Sequence, residues 1–215
     1  MAEPVAQPHE SRIYSTFADL YDKIFDRVFS PRIFRVVEEL GISASDRVLE
    51  VGIGTGLSLG AYPSDCDFVG IDLSPDMLAK AQRKAGEAGL SHIDLRTADA
   101  LALPFEDSSF DFVTSFHVVS VVPDPQQAVR EMLRVVRPGG TIAIINHFRS
   151  PRPVIAKLVD QFDPVTRKLG WSTKLAVEDL LADAPLEVER RYKTSEASLF
   201  TVLVGQAPAA AAAGA

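Results

Sequence analysis

Three acidic residues and three glycines are the positions in this chain best suited to chemistry. Glu50 lies in Val48-Leu49-Glu50-Val51-Gly52-Ile53-Gly54-Thr55-Gly56, two residues before the first glycine, and Asp72 closes Phe68-Val69-Gly70-Ile71-Asp72. Asp99 lies in Thr97-Ala98-Asp99-Ala100-Leu101-Ala102-Leu103-Pro104-Phe105. Glycines let the backbone approach a ligand closely and adopt positive φ. Leu57 occupies the third glycine position of the dinucleotide fingerprint and no GK[ST] ending follows, so neither a GxGxxG loop nor a phosphate-binding P-loop is present. A carboxylate at position 50 suits a cationic ligand better than a pyrophosphate. Asp72, at the end of its strand, can accept both hydroxyl hydrogens of a ribose. Asp99, with Ala100 after it, can take an adenine amino group while apolar neighbours cover the ring.

The flanks add a second set. Tyr14 and Tyr21 are seven residues apart, hence on one face of a helix in which Ile13, Phe17, Leu20, Tyr21, Ile24 and Val28 recur every three or four residues. Such a helix packs over a site, and it also suits contact with a lipid surface, with Lys23, Arg27, Arg32 and Arg35 nearby. His147-Phe148-Arg149-Ser150-Pro151-Arg152 follows a strand, and Arg190, Arg191 and Lys193 come later. Arginines fork onto phosphate oxygens, which makes Arg149, Arg152 and Arg190 candidates for an anionic group.

Alternating strands and helices must position these residues. Strands are expected at Arg47 to Val51, Phe68 to Asp72, Ile93 to Ala98, Phe110 to Phe116 and Thr141 to Ile145, with two late strands near Leu186 to Tyr192 and Ser198 to Val204. Ser74 reads as the N-cap of a helix running to about Ala88, with Pro75 at its first position. Asp124-Pro125-Gln126-Gln127 has the pattern of a capping box, and Pro138-Gly139-Gly140 stops the helix it opens. Further helices are expected near Val154 to Leu169 and Ala176 to Leu181. The pattern predicts an α/β, Rossmann-like fold: a seven-stranded, mostly parallel sheet, helices on both faces, and a C-terminal antiparallel hairpin at one edge. Ligands in such sheets bind beyond the carboxyl ends of the strands, which directs attention to Glu50–Gly56, Asp72, Asp99, Ser115–His117 and Asn146–Arg149.

Composition narrows the functional classes. With 47% hydrophobic and 24% charged residues the chain carries enough apolar side chains for a core, which excludes a disordered or collagen-like chain. A net charge of −7 makes nucleic acid a poor general partner. The single cysteine, Cys66, permits no internal disulfide. His9, His92, His117 and His147 are scattered, so no metal site is expected. No secretory leader or spanning segment is read. The division expected is a flexible arm over 1–10, an amphipathic helical segment over 11–40, a catalytic domain over 41–206 and an Ala-rich tail over 207–215.

The ordered set LEVGIGTG, GIDLSPDML, ADALALPF, DFVTSF and LRVVRPGG resembles the class I S-adenosylmethionine-dependent methyltransferases. The resemblance implies that Gly52, Gly54 and Gly56 cradle the methionine part of the cofactor, with Glu50 and Ser115 in the same site. It implies that Asp72 holds the ribose, that Leu73 or Met77 packs on the adenine, and that Asp99 and Ala100 read it, with S-adenosylhomocysteine as product. YSTFADLYDKIFD and INHFRSPR resemble the compact bacterial phosphatidylethanolamine N-methyltransferases, whose close relatives are ubiquinone and menaquinone C-methyltransferases. That implies a phospholipid amine as substrate, methylated toward phosphatidylcholine by a cytoplasmic monomer in peripheral contact with an anionic membrane surface. Tyr14, Tyr21 and His147 are then the catalytic candidates, His147 as proton acceptor, and Arg149, Arg152 and Arg190 would hold the phosphate. A quinone-precursor methyltransferase, a nucleotide-dependent dehydrogenase and a non-catalytic cofactor-binding module remain the competing readings.

Overall fold

The central strands bury apolar side chains on both of their faces, and this decides the layering. In β1 (Arg47–Val51), Leu49 and Val51 pack into one hydrophobic cluster and Val48 into another. A strand buried on both sides requires a layer of helices on each. The computed structural model describes residues 29–149, 174–194 and 198–209, and in these it supplies both layers. Helix α1, over 29–40, and α2 (Pro75–Glu87) cover the Val48 side through Ile33, Val36, Leu78 and Ala81. Helix α3 (Pro125–Val135) and the short α4 (Val177–Leu180) cover the other through Val129, Met132 and Leu180.

The remaining strands are β2 (Asp67–Asp72), β3 (Ile93–Thr97), β4 (Phe110–Phe116), β5 (Val136–His147), β6 (Glu187–Tyr192) and β7 (Phe200–Gln206). Their order is β3-β2-β1-β4-β5-β7-β6. The pairs β1–β2, β1–β4, β2–β3 and β4–β5 are parallel, while β7 runs antiparallel to both β5 and β6. The late strands do pair antiparallel, as expected of a hairpin. They are not simply appended: β7 inserts between β5 and β6, and its Val202 and Leu203 are fully buried.

The helix signals operate as read, with two differences. Ser74 Oγ accepts the Met77 N–H at 3.4 Å, and Asp124 Oδ1 accepts the Gln127 N–H at 2.9 Å. The second capping box stays half closed, because the Gln127 amide donates instead to the Leu101 carbonyl (3.1 Å) and ties α3 to the loop after β3. Strand β5 begins at Val136, ahead of the Pro-Gly-Gly stop, because Val136 is already extended (ψ 143°) and pairs with Phe110. Asp111 lies in the register shift that follows, and its carboxylate takes the Arg47 N–H (2.7 Å) and the Arg137 guanidinium (2.6 Å). The segments 1–28, 150–173, 195–197 and 210–215, and with them the expected arm and the helix near Val154 to Leu169, lie outside the described residues.

Candidate active site

The carboxyl rim of the sheet is shaped first by the turn after β1. The Gly52 and Ile53 N–H groups both donate to the Ile71 carbonyl, at 2.8 and 2.9 Å, so the turn leans onto β2. Gly52 has φ +76°, and a Cβ there would fall 2.2 Å from Val118 Cγ2. Only glycine permits both that backbone and the seating of the loop after β4 on the turn. Gly54, at φ +55°, is different: a Cβ there would meet nothing within 4 Å. Its N–H donates to Asp72 Oδ2 (2.9 Å), and Asp72 Oδ1 accepts the Ser74 N–H (2.8 Å). Gly56, at φ +77°, ends the turn against Leu59 and Ala81. Burial pushes the Asp72 carboxyl up, and the backbone N–H donors at Ser74, Gly54 and Leu73 hold it down. A carboxylate offers about four lone-pair sites, so these bonds leave room for further hydroxyl donors.

Glu50 lies beneath this turn rather than at its surface. It is 2% exposed, and its two oxygens accept the Ser58 hydroxyl (2.8 Å) and the Tyr62 phenol (2.6 Å). Tyr62 also meets Thr114 Oγ1 at 2.8 Å, so one buried chain of hydroxyls links β1, the segment after the turn, and β4. Burial raises the Glu50 carboxyl to about 7 against the opposing pull of Tyr62 and Ser58. Neither hydroxyl partner was singled out from sequence. Both contacts are tertiary, and no local pattern announces them.

Around the cradle, Leu73 stands 69% exposed directly after Asp72, and Met77 is partly buried one turn into α2. Asp99 is exposed, with Oδ1 accepting the Leu101 N–H at 2.9 Å, and Ala100 packs against the core beside it. This loop is braced from α3: Arg134 donates to the Phe105 and Leu103 carbonyls and pairs with Asp107 and Glu131, while Glu131 accepts the Leu103 N–H. Ser115 is fully buried, and its Oγ has no hydrogen-bond partner among the described residues.

On the other side of the rim, His117 has φ +65°, a backbone conformation that costs a side-chain-bearing residue about 1 kcal/mol or more. Its N–H donates to the Ile145 carbonyl (2.7 Å), and its ring stands edge-on to Phe29 (4.6 Å) and Phe200 (4.7 Å). Burial, aided by Arg32, drives its imidazole down to about 3. His147 Nδ1 lies 3.1 Å from the Leu199 carbonyl, which can only accept; Nδ1 therefore carries the hydrogen, and Nε2 is the basic atom. Burial also lowers the His147 imidazole below its ordinary value. Arg149 is exposed after β5, its N–H on the Leu175 carbonyl. Arg190 sits within β6, opposite Val204, with Nη1 3.6 Å from Glu39. Tyr14, Tyr21 and Arg152 lie outside the described residues. Among the described residues no cluster of His, Cys, Asp or Glu could hold a metal ion.

This strand order, with a glycine turn after the first strand and an acid after the second, defines a class I methyltransferase fold. The family described as "Methyltransferase domain" matches residues 49–144. Over 197 residues the chain is 41% identical to a phosphatidylethanolamine N-methyltransferase of Cereibacter sphaeroides, covering 90% of this chain and 95% of that protein. It is 32% identical over 165 residues to a demethylmenaquinone methyltransferase of Shouchella clausii, covering 72% of this chain and 70% of that one. Among solved structures, geranyl diphosphate methyltransferase in complex with SAM superposes with a TM-score of 0.69 at 18% identity, covering 96% and 93% of the two chains. The chain belongs to the S-adenosylmethionine-dependent methyltransferases. The open side of Gly54 and the spare lone pairs of Asp72 fit that cofactor's need for close backbone approach and a ribose acceptor.

Proposed function

We propose that this enzyme N-methylates the ethanolamine headgroup of phosphatidylethanolamine, and of its mono- and dimethyl forms, toward phosphatidylcholine. The observation that carries the reading is the 41% identity extending over nearly the full length of both chains, flanks included.

The cofactor supplies a methyl group already activated on a sulfonium. The residues of the chain bind, orient and manage a proton. Asp72 would take the ribose hydroxyls and the backbone at Gly52, Gly54 and Gly56 would hold the methionine part, with Glu50 fixing the turn from below and Ser115 in the same site. Leu73 and Met77 would hold the adenine, together with Asp99 and Ala100. The amine must be neutral to attack, and a desolvated site favours the neutral form. His147, uncharged at neutral pH, accepts the proton at Nε2. The proposal assigns the ammonium to Tyr14 and Tyr21 and the phosphate to Arg149 and Arg152. Arg190 is the least available of the three arginines, since Glu39 already meets its charge.

No helix among the described residues is long and apolar enough to cross a membrane. The reading places the enzyme at a cytoplasmic membrane surface as a monomer, with its N-terminal helix on anionic lipid. Liposome flotation with and without residues 1–30 tests this; equal flotation defeats it. The second reading, C-methylation of a quinone precursor, is favoured by the Shouchella clausii relative. A radiolabelled methyl-transfer assay on phosphatidylethanolamine, its monomethyl form and a demethylated quinol separates the two. Label in the lipid supports the proposal, and label in the quinol alone replaces it.

A further inference from the structure

Among the described residues, no carboxylate answers the charge of Arg32. Its neighbours do not share this condition: Arg35 pairs with Glu39, Arg190 with Glu39, and Arg191 with Glu178. Arg32 Nε donates to Thr194 Oγ1 at 2.8 Å, a neutral acceptor. Its guanidinium lies 4.9 Å from the Phe200 ring centroid and 5.8 Å from that of Phe29. Nη1 is closed to bulk water and has no hydrogen-bond partner among the described residues, and no carboxylate there reaches ion-pair distance. Half-burying a cation against two phenyl rings without a counter-charge is costly. The ring faces of Phe200 and Phe29 offset part of that cost, and a bound anion would offset the rest.

The position is also informative. Phe200 opens β7 at the carboxyl rim and pairs with His147, the last residue of β5. The rings of His117 and His147 both stand against it, at 4.7 and 6.3 Å. Arg32 is therefore held on the same phenyl ring as the histidines that follow β4 and β5. Asp72 belongs to β2, and three strands (β1, β4 and β5) lie between β2 and β7, so the site is some four strand spacings, roughly 19 Å, across the sheet from the ribose acceptor. That separates it from the proposed ribose acceptor and leaves it free for the substrate of the reading above. In an ethanolamine phosphodiester the nitrogen and phosphorus are separated by four bonds, roughly 5 Å when extended.

We propose that Arg32, fixed by Thr194 and backed by Phe200, binds the phosphodiester anion of the substrate and so selects a phosphate-bearing amine over a plain one. This rests on the phospholipid reading above and adds a residue of α1 to Arg149 and Arg152 at the phosphate, in place of Arg190 of β6. With Nε held by Thr194, the terminal Nη donors are the ones left for phosphate oxygens, and a charge-assisted pair of this kind weakens sharply when the guanidinium is removed.

The test compares wild type, Arg32→Ala, Arg32→Lys and Arg32→Met, all full-length, with dispersed dihexanoyl phosphatidylethanolamine as substrate. The expected result for Arg32→Ala is a KM raised at least tenfold and a kcat within about threefold, with a Kd for S-adenosylhomocysteine within twofold of wild type. Arg32→Lys should fall between, since it keeps the charge without the fork. Glycerophosphoethanolamine and inorganic phosphate are then added as inhibitors. Inhibition of wild type by the first alone assigns the site to the headgroup, and equal inhibition by both assigns it to phosphate in general; each effect should vanish in Arg32→Ala. Arg32→Met should melt at or above the wild-type temperature, because it removes an unanswered charge. Unchanged KM in Arg32→Ala overturns the proposal, as does a weakened cofactor Kd with KM unaltered. If wild type methylates no phosphatidylethanolamine, the lipid reading fails by itself. The anion site is then decided by calorimetry with glycerophosphoethanolamine: heat in wild type and none in Arg32→Ala sustains it, and none in either ends it.

Discussion

The Gly54 N–H donates to Asp72 Oδ2 at 2.9 Å, so the turn after the first strand and the acid ending the second are one unit. Asp72→Asn puts an amide where the Gly54 and Ser74 N–H groups, and the ribose of the proposed site, need an acceptor. Hydrogen bonds to a charged group are worth about 1.5–3 kcal/mol, so the Kd for S-adenosylhomocysteine should rise roughly 10- to 100-fold in calorimetry. Far-UV dichroism should stay native.

Two glycines of the same turn should answer differently to alanine. At Gly52 the left-handed backbone alone costs about 1–2 kcal/mol, and overlap with Val118 adds to it. Gly52→Ala should therefore lower the melting temperature clearly. Gly54→Ala bears only the backbone cost, since its Cβ would enter open space. If that space is the cofactor's, Gly54→Ala should melt between Gly52→Ala and wild type yet lose most cofactor binding. Equal melting losses in the two variants would contradict the assignment of that opening.

Glu50 gives a pH signature. Its folded value of about 7 lies above the unfolded value of 4.5, so between these limits the folded state binds more protons. The stability it contributes is complete below about pH 4.5 and is lost as pH rises through 7, on the order of 3 kcal/mol. Denaturant titrations of wild type and Glu50→Gln across pH 4.5–8 should show this slope in the difference between them. Identical pH dependence in both proteins would remove Glu50 as its source.

Burial sets His147 below its ordinary value, so it is neutral and able to accept a proton throughout the physiological range. The acid limb of kcat/KM should therefore lie below pH 6.5, with activity falling as pH drops through it. His147→Gln keeps a donor toward the Leu199 carbonyl while removing the proposed base. It should lower kcat on the order of 100-fold and leave the cofactor Kd unchanged.

What could be read from sequence was local. The turn Gly52–Gly56, the cap at Ser74 and the strand Phe110–Phe116 each depend on a few neighbouring residues, and each appears where its pattern predicts. Contacts across the chain left no such mark. Glu50 reads as a ligand-facing acid until Ser58 and Tyr62 close over it, and Gln127 reads as half of a capping box until Leu101 claims its amide. Arg32 and Thr194 are 162 residues apart, and nothing in either flank announces their meeting. Alternation predicts seven strands, but it is silent on where in the sheet the last one lies.

That last placement bears on biogenesis. Because β7 is wedged between β5 and β6, the ladder beside Thr141–His147 stays open until residues near 206 have left the ribosome. Until then the nascent chain presents an unpaired, strongly apolar edge, the kind that recruits chaperones or self-associates. Released chains truncated near residue 195 should accordingly be far more protease-sensitive and aggregation-prone than the full-length chain.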